Sequence, residues 1–290
     1  MSRNWGKPLL IALLTAVIIP LACWRILLRF EQKFLSTGPN GPATPLTIGI
    51  PFMRARISSM NRTLDGYLVT APPACQSRVA LLIFHGAGER ISDWVNAQRF
   101  LRDHCVASVV FDYSGHGDSS RPGTVENLNQ DALAAYSWFA SQFEDGYRLC
   151  VLGHSMGNGP MLQSLRQFQP TPSRVVVANS FPSLRDEVAR NSPLRELPRW
   201  LAHLMPDIWN NECNISSVRA PILLVQSDGD HSHPIETVQL VFQAAIEPKQ
   251  IAILHGFGHD ALYREPSEEW WSPTLRFVQG ETPVKGGQPE

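Results

Sequence analysis

The chain has 290 residues, a formal net charge of −1, 43% hydrophobic and 18% charged residues. That is enough for one large domain with an ample core, and the near-neutral balance gives no electrostatic footprint for nucleic acid. No basic run, aromatic-interleaved patch or internal repeat is present.

Residues 8–24, from Pro8 to Trp24, carry no charge. A run of about 17 apolar residues is at the short limit for spanning a bilayer, and snorkelling of Arg25 and Arg29 would extend it. The expected reading is a single-pass signal anchor over residues 1–30, which localises the chain to a membrane. A cleaved secretory signal and a lipoprotein signal ending at Cys23 compete with it. Orientation stays open, because Arg3 and Lys7 precede the run and Arg25, Arg29 and Lys33 follow it. Residues 31–46 are rich in Gly, Pro, Ser and Thr and read as a linker.

The domain is expected over residues 47–279. Two strand candidates, Thr47–Ile57 and Leu64–Thr70, are joined by a polar turn through Asn61. Val79–Phe84 reads as a strand, Asp93–His104 as a helix, Val106–Phe111 as a strand and Glu126–Phe143 as a helix. Further strands are expected at Leu149–Leu152, Val175–Ala178, Ile222–Val225 and Ile251–Leu254. Strands alternating with helices imply a mostly parallel sheet covered on both faces. The stretch 181–219 breaks the rhythm and reads as a small, partly helical cap. Its apolar residues, among them Leu194, Leu197, Trp200 and Trp209, either line an acyl pocket or dock the cap on the body. The polar tail 280–290 is expected to be disordered.

The five cysteines follow neither a disulfide-framework nor a metal spacing. Pairing of Cys75 with Cys213 stays open. Mostly reduced thiols, which favour a reducing compartment, are the default expectation.

The chemistry centres on Gly153-His154-Ser155-Met156-Gly157, which follows an apolar run and precedes a helix-compatible stretch. Two glycines let the chain turn sharply enough to expose a serine hydroxyl at the end of a strand, so Ser155 is the candidate nucleophile. A serine nucleophile needs a base and an orienting acid. Asp228-Gly229-Asp230 ends one later strand, and His255-Gly256-Phe257-Gly258-His259 ends the last. Asp230 is preferred as acid with Asp228 as substitute; His259 is preferred over His255 as base, because glycines free its loop to reach the serine. Negative charge developing on a substrate oxygen needs two backbone donors. The amides of Met156 and of Ala87, in Phe84-His85-Gly86-Ala87-Gly88-Glu89, are the candidates. The segment from Phe111 to Ser120 is assigned structure rather than chemistry. His231-Ser232-His233 lacks further ligands at recognisable spacing, so no metal is expected.

These motifs occur in the order of the α/β-hydrolase superfamily, which the chain resembles over roughly residues 47–279. It is most similar to the serine-aminopeptidase or monoglyceride-lipase-like branch, especially membrane-anchored, short-capped members. The resemblance implies an α/β-hydrolase fold with an eight-stranded, mostly parallel sheet, Ser155 as nucleophile, Asp230 as acid and His259 as base, without cofactor. In that family an apolar residue and a proline follow the acid three and four positions on. Here Pro234 matches and His233 departs. The expected activity is a serine hydrolase acting on a small-molecule acyl ester or thioester, lipid-derived or lipidated, tethered to a membrane. An amidase or aminopeptidase of the same fold, and a non-catalytic tethered binding protein, are the alternatives.

Overall fold

The computed structural model describes residues 32–33, 35–144, 146–191 and 207–280. The expected anchor, the middle of the expected cap and the last ten residues of the tail lie outside the described residues. Among the described residues, no helix is long and apolar enough to cross a membrane.

Eight strands form one sheet in the order β1-β2-β4-β3-β5-β6-β7-β8. They are β1 (Met53–Ser59), β2 (Arg62–Val69), β3 (Val79–Phe84), β4 (Val106–Phe111), β5 (Arg148–His154), β6 (Arg174–Ala178), β7 (Ile222–Ser227) and β8 (Lys249–Leu254). The β1–β2 and β2–β4 pairings are antiparallel; the remaining pairings are parallel. Burial explains the patterns. β3 and β4 are buried at every residue, as strands covered on both faces must be. β1, at an edge, buries Ala55, Ile57 and Ser59 alternately, with period two.

Two cores lie on opposite faces. One packs Leu128, Tyr136 and Phe139 of α2 (Val125–Ser141) with Met161 and Leu162 of α3 (Asn158–Ser164). The other packs Ala97 and Leu101 of α1 (Val95–Asp103) with Trp94, Leu262, Trp270 and Trp271. The remaining described helices are α4 (Leu184–Asn191), α5 (Asn211–Ile215), α6 (Ile235–Ala244), α7 (Ala261–Arg264) and α8 (Glu268–Gln279). Thr124 caps α2 by accepting from Asn127 N at 3.1 Å.

Three expectations change. The first strand begins later than its apolar pattern indicates: Pro45–Ile48 form a 3₁₀ turn capped by Thr44 and closed by Gly49 at φ +78°. The segment read as a linker is packed on the body from Leu35 onward. Leu35 is buried, Thr37 N donates to the Gly115 carbonyl, and Asn40 Nδ2 donates to Asp112 Oδ2. Gly and Pro suppress regular structure there without preventing these contacts. Cysteine pairing also differs: Cys75 is bonded to Cys105, with a Cα–Cα distance of 5.5 Å. The bridge joins the loop after β2 to the turn before β4, and Cys105 itself sits at φ +60° outside the strand.

Candidate active site

Ser155 stands on a backbone that few side chains adopt. β5 ends at His154, and Ser155 follows with φ +51°, in the left-handed region. Strain of this kind persists where the surroundings over-determine it. Here the turn is pressed against the end of β3: a Cβ on Gly157 would lie 2.0 Å from the Phe84 carbonyl oxygen, and one on Gly153 2.5 Å from Asn158 Oδ1. Ser155 and His259 both line a cavity of about 510 Å³, with Ala87, Glu89, His233 and Arg264 also on its wall.

The preferred acid and base are brought together. His259 Nδ1 lies 2.7 Å from Asp230 Oδ2, and the Asp230 side chain is fully buried. Asp230 Oδ1 accepts from Ser232 N at 2.9 Å and His233 N at 3.0 Å. Burial opposes the charge on this carboxyl, but hydrogen bonds from His233 and His259 outweigh it and hold Asp230 well below the usual carboxylate range. The substitutes pair with each other instead. His255 Nδ1 lies 2.8 Å from Asp228 Oδ2, and the His255 side chain is 83% exposed. Neither Asp228 nor His255 lines the cavity.

Of the two candidate oxyanion amides, that of Ala87 lies on the cavity wall and that of Met156 directly follows Ser155 in the chain. Met156 lies in the first turn of the short 3₁₀ helix Ser155–Gly157, where N–H groups have no intrahelical acceptor. Ala87 lies on the cavity wall, and its carbonyl accepts from His116 Nε2 at 3.1 Å. Burial and the neighbouring His85 push His116 down to about 3, so its neutral ring donates there and holds the Ala87 peptide in place. The segment from Phe111 to Ser120 therefore supports the loop beside Ser155. Asp112 shares in this, accepting from Ile91 N at 3.0 Å.

Four positioning groups escaped the sequence reading. Glu89, 5% exposed, accepts from Gly86 N and Trp94 Nε1, both at 2.9 Å, and its Oε1 lies 2.8 Å from His154 Nδ1. Burial works against the carboxylate, yet His154 outweighs it and lowers Glu89 to about 2. The other nitrogen of His154 lies 3.1 Å from the His259 carbonyl oxygen, which also accepts from Asn179 Nδ2 at 3.0 Å. Asn179 Oδ1 in turn accepts from Ser227 N at 3.0 Å, at the end of β7. The main chain of His259 is thus held from the nucleophile's strand and from β6. Glu89 was visible only as the residue closing His-Gly-Ala-Gly, and His154 only as the variable position of Gly-x-Ser-x-Gly.

His233 is the fourth. Its Nε2 lies 3.0 Å from Glu187 Oε2, on α4, and its Nδ1 lies 3.8 Å from Asp230 Oδ2. Among the described residues, Asp230, His233 and His259 bring atoms of ligand type within 4.8 Å of one another. Their arrangement is one carboxylate facing two imidazoles. Of the expected cap residues, Trp209 is fully buried, stands 2.6 Å from where a Cβ on Gly159 would lie, and donates from Nε1 to Asn129 Oδ1 at 2.8 Å. It docks the returning chain on α3. Leu194, Leu197 and Trp200 lie outside the described residues.

A family model described as "Serine aminopeptidase, S33" matches residues 76–218. The fold is shared with the Pyrococcus furiosus esterase Pf2001, at TM-score 0.67 and 18% identity over 85% of this chain and 98% of that one. The chain thus has the fold of the α/β-hydrolases, and its residues 76–218 are similar to that serine aminopeptidase family. It is 31% identical to an uncharacterised Mycobacterium tuberculosis protein over 156 residues, 53% of each chain. It is 24% identical to the lysophosphatidylserine lipase ABHD12 of Danio rerio over 215 residues, 66% of this chain and 56% of that one. The chain spans about half the length of these curated relatives.

Proposed function

We propose that the chain is a serine hydrolase that cleaves acyl esters or thioesters through an acyl-enzyme. The observation that carries this reading is the 2.7 Å contact between Asp230 and His259 beside a cavity that Ser155 also lines. His259 takes the Ser155 proton as the hydroxyl attacks the carbonyl carbon. The amides of Ala87 and Met156 hold the oxyanion. Asp230 keeps the ring in the tautomer whose other nitrogen accepts that proton. His259 then returns the proton to the departing alcohol or thiol, and water clears the acyl group by the same route.

Lipid-derived or lipidated substrates fit the uncharged segment from Pro8 to Trp24, which would tether the domain to a membrane as a single-pass anchor. A lipase of lysophosphatidylserine among the relatives favours the same class. The Cys75–Cys105 bond supports a domain on the oxidising side of that membrane. A second reading, aminopeptidase, draws on the matching family model.

A fluorophosphonate probe applied to the full-length protein in detergent tests the proposal. Wild type is expected to label and Ser155→Ala is not; labelling that survives Ser155→Ala overturns it. Turnover of p-nitrophenyl esters against aminoacyl anilides separates the two readings. A folded wild type that neither labels nor turns over either class favours the non-catalytic binding reading.

A further inference from the structure

His233 occupies the position where the resembling family carries an apolar residue, and its surroundings give that departure a role. The ring is 4% exposed at its side chain and stacks on Phe181 with 5.7 Å between centroids. It lies between two carboxylates, with Glu187 at 3.0 Å from Nε2 and Asp230 at 3.8 Å from Nδ1. Its centroid is 5.1 Å from that of His259. Asp230 Oδ1 is already filled by two backbone amides, so both imidazoles address the same oxygen, Oδ2.

We propose that His233 is a positioning residue: as an imidazolium held between Glu187 and Asp230, it lowers the proton affinity of His259 and so keeps the base neutral at pH values where it would otherwise be protonated. This rests on the hydrolase reading above. A cation beside Oδ2 draws on the charge that Asp230 offers to His259, and it repels a second cation one ring away. Burial works against charge on His233, but Asp230 and Glu187 outweigh that and raise the group to about 9. The charged or titratable groups facing His233 are Asp230 on its own loop, Glu187 from α4 and His259 from the loop after β8. His259 also faces the His154 ring at the end of β5, with 4.8 Å between centroids, and Glu89, Asp260 and Arg264 share the cavity wall.

The test is the rate of fluorophosphonate labelling of Ser155 in the full-length protein, measured against pH, which needs no knowledge of the substrate. Labelling requires neutral His259, so the rate falls on an acid limb that reports its protonation. His233→Leu and His233→Gln both remove the cation, and each is expected to move that limb up by about one pH unit. His233→Arg keeps a cation and is expected to hold the limb at the wild-type position. A residue that merely packs the loop would change the plateau rate and leave the limb in place. The inference is overturned if the Leu and Gln variants label with the wild-type limb, or if Arg shifts it as far as Gln. Wild type that shows no Ser155-dependent labelling overturns the hydrolase reading and takes this inference with it.

Discussion

Replacing the acid by its amide separates the two candidate carboxylates. In the fold, Asp230 Oδ1 accepts two backbone amides and Oδ2 faces His259 Nδ1 at 2.7 Å. In Asp230→Asn the side-chain carbonyl keeps the two backbone donors, because an NH₂ there would meet two N–H groups. The NH₂ then faces His259 Nδ1, which must become an acceptor. The ring responds by carrying its hydrogen on Nε2, and the Ser155 proton loses its destination. Loss of the correct tautomer typically lowers kcat by about 10⁴, or about 5.5 kcal/mol of barrier. Asp228→Asn should behave differently. It disturbs a pair whose histidine is 83% exposed, and exposed pairs contribute little. The assay is p-nitrophenyl ester hydrolysis together with circular dichroism to check folding. Asp230→Asn is expected to fall by three to four orders of magnitude, on the order of typical triad variants, and Asp228→Asn to stay within about threefold of wild type. A folded Asp230→Asn retaining more than about a tenth of wild-type turnover refutes the assignment of the acid, as does a collapse of Asp228→Asn.

Glu89 makes acid stability measurable. Its carboxyl is held at about 2 in the fold against 4.5 free, so it contributes about 3 kcal/mol that is fully present above pH 4.5 and lost as pH falls toward 2; urea denaturation between pH 6 and 3 should show a steeper loss in wild type than in Glu89→Gln, and parallel curves would contradict this. Glu89→Ala strands three buried donors and is expected to cost more than about 3 kcal/mol in the same assay. For the disulfide, the Cys75–Cys105 loop has a sequence separation of 30, which corresponds to about 3.5 kcal/mol of chain entropy. The double variant Cys75→Ser, Cys105→Ser should melt well below wild type under non-reducing conditions and match it under strong reductant; equal non-reducing melting points would refute the estimate.

The sheet was legible because its central strands are apolar runs bounded by turn residues, unbroken in Val79–Phe84 and interrupted only by Ser108 in Val106–Phe111. α1 and α2 were legible through Trp94, Ala97, Leu101, Leu128 and Phe139, which fall on buried faces. α8 was not, because Pro273 lies inside it and breaks the helical signal. Ser155 and His259 were legible because glycines at fixed offsets mark the turns that expose them. The groups that hold these residues were not. Glu89, His154, Asn179 and His233 act through contacts between segments 46 to 105 residues apart, as in Glu89 to His154, 65 apart, and His154 to His259, 105 apart. No local pattern marks a partner at that separation. The Cys75–Cys105 bond was illegible for a related reason: Cys105 lies between an expected helix and an expected strand, and only its left-handed turn lets it meet Cys75.

The choice between the two acids follows from how the loops after β7 and β8 are joined. β7 and β8 pair in parallel up to Ser227 and Leu254. Beyond the sheet the pairing continues: Asp228 N donates to the Leu254 carbonyl, and Gly229 N to the Phe257 carbonyl at 3.0 Å. A Cβ at Gly229 would lie 2.6 Å from that Phe257 oxygen, so the close approach requires glycine there. With the turn fastened at Gly229, Asp228 and Asp230 fall on opposite sides of it. Asp228 meets His255 at the surface, and Asp230 turns inward to meet His259. The offset of two residues between the acids is matched by an offset of four between the histidines, because Gly256 at φ +81° makes a turn that the acid loop lacks. Two acid–histidine pairs of the same composition thus arise from one pair of loops, and of the two histidines it is His259, in the inward pair, that lies on a cavity wall with Ser155.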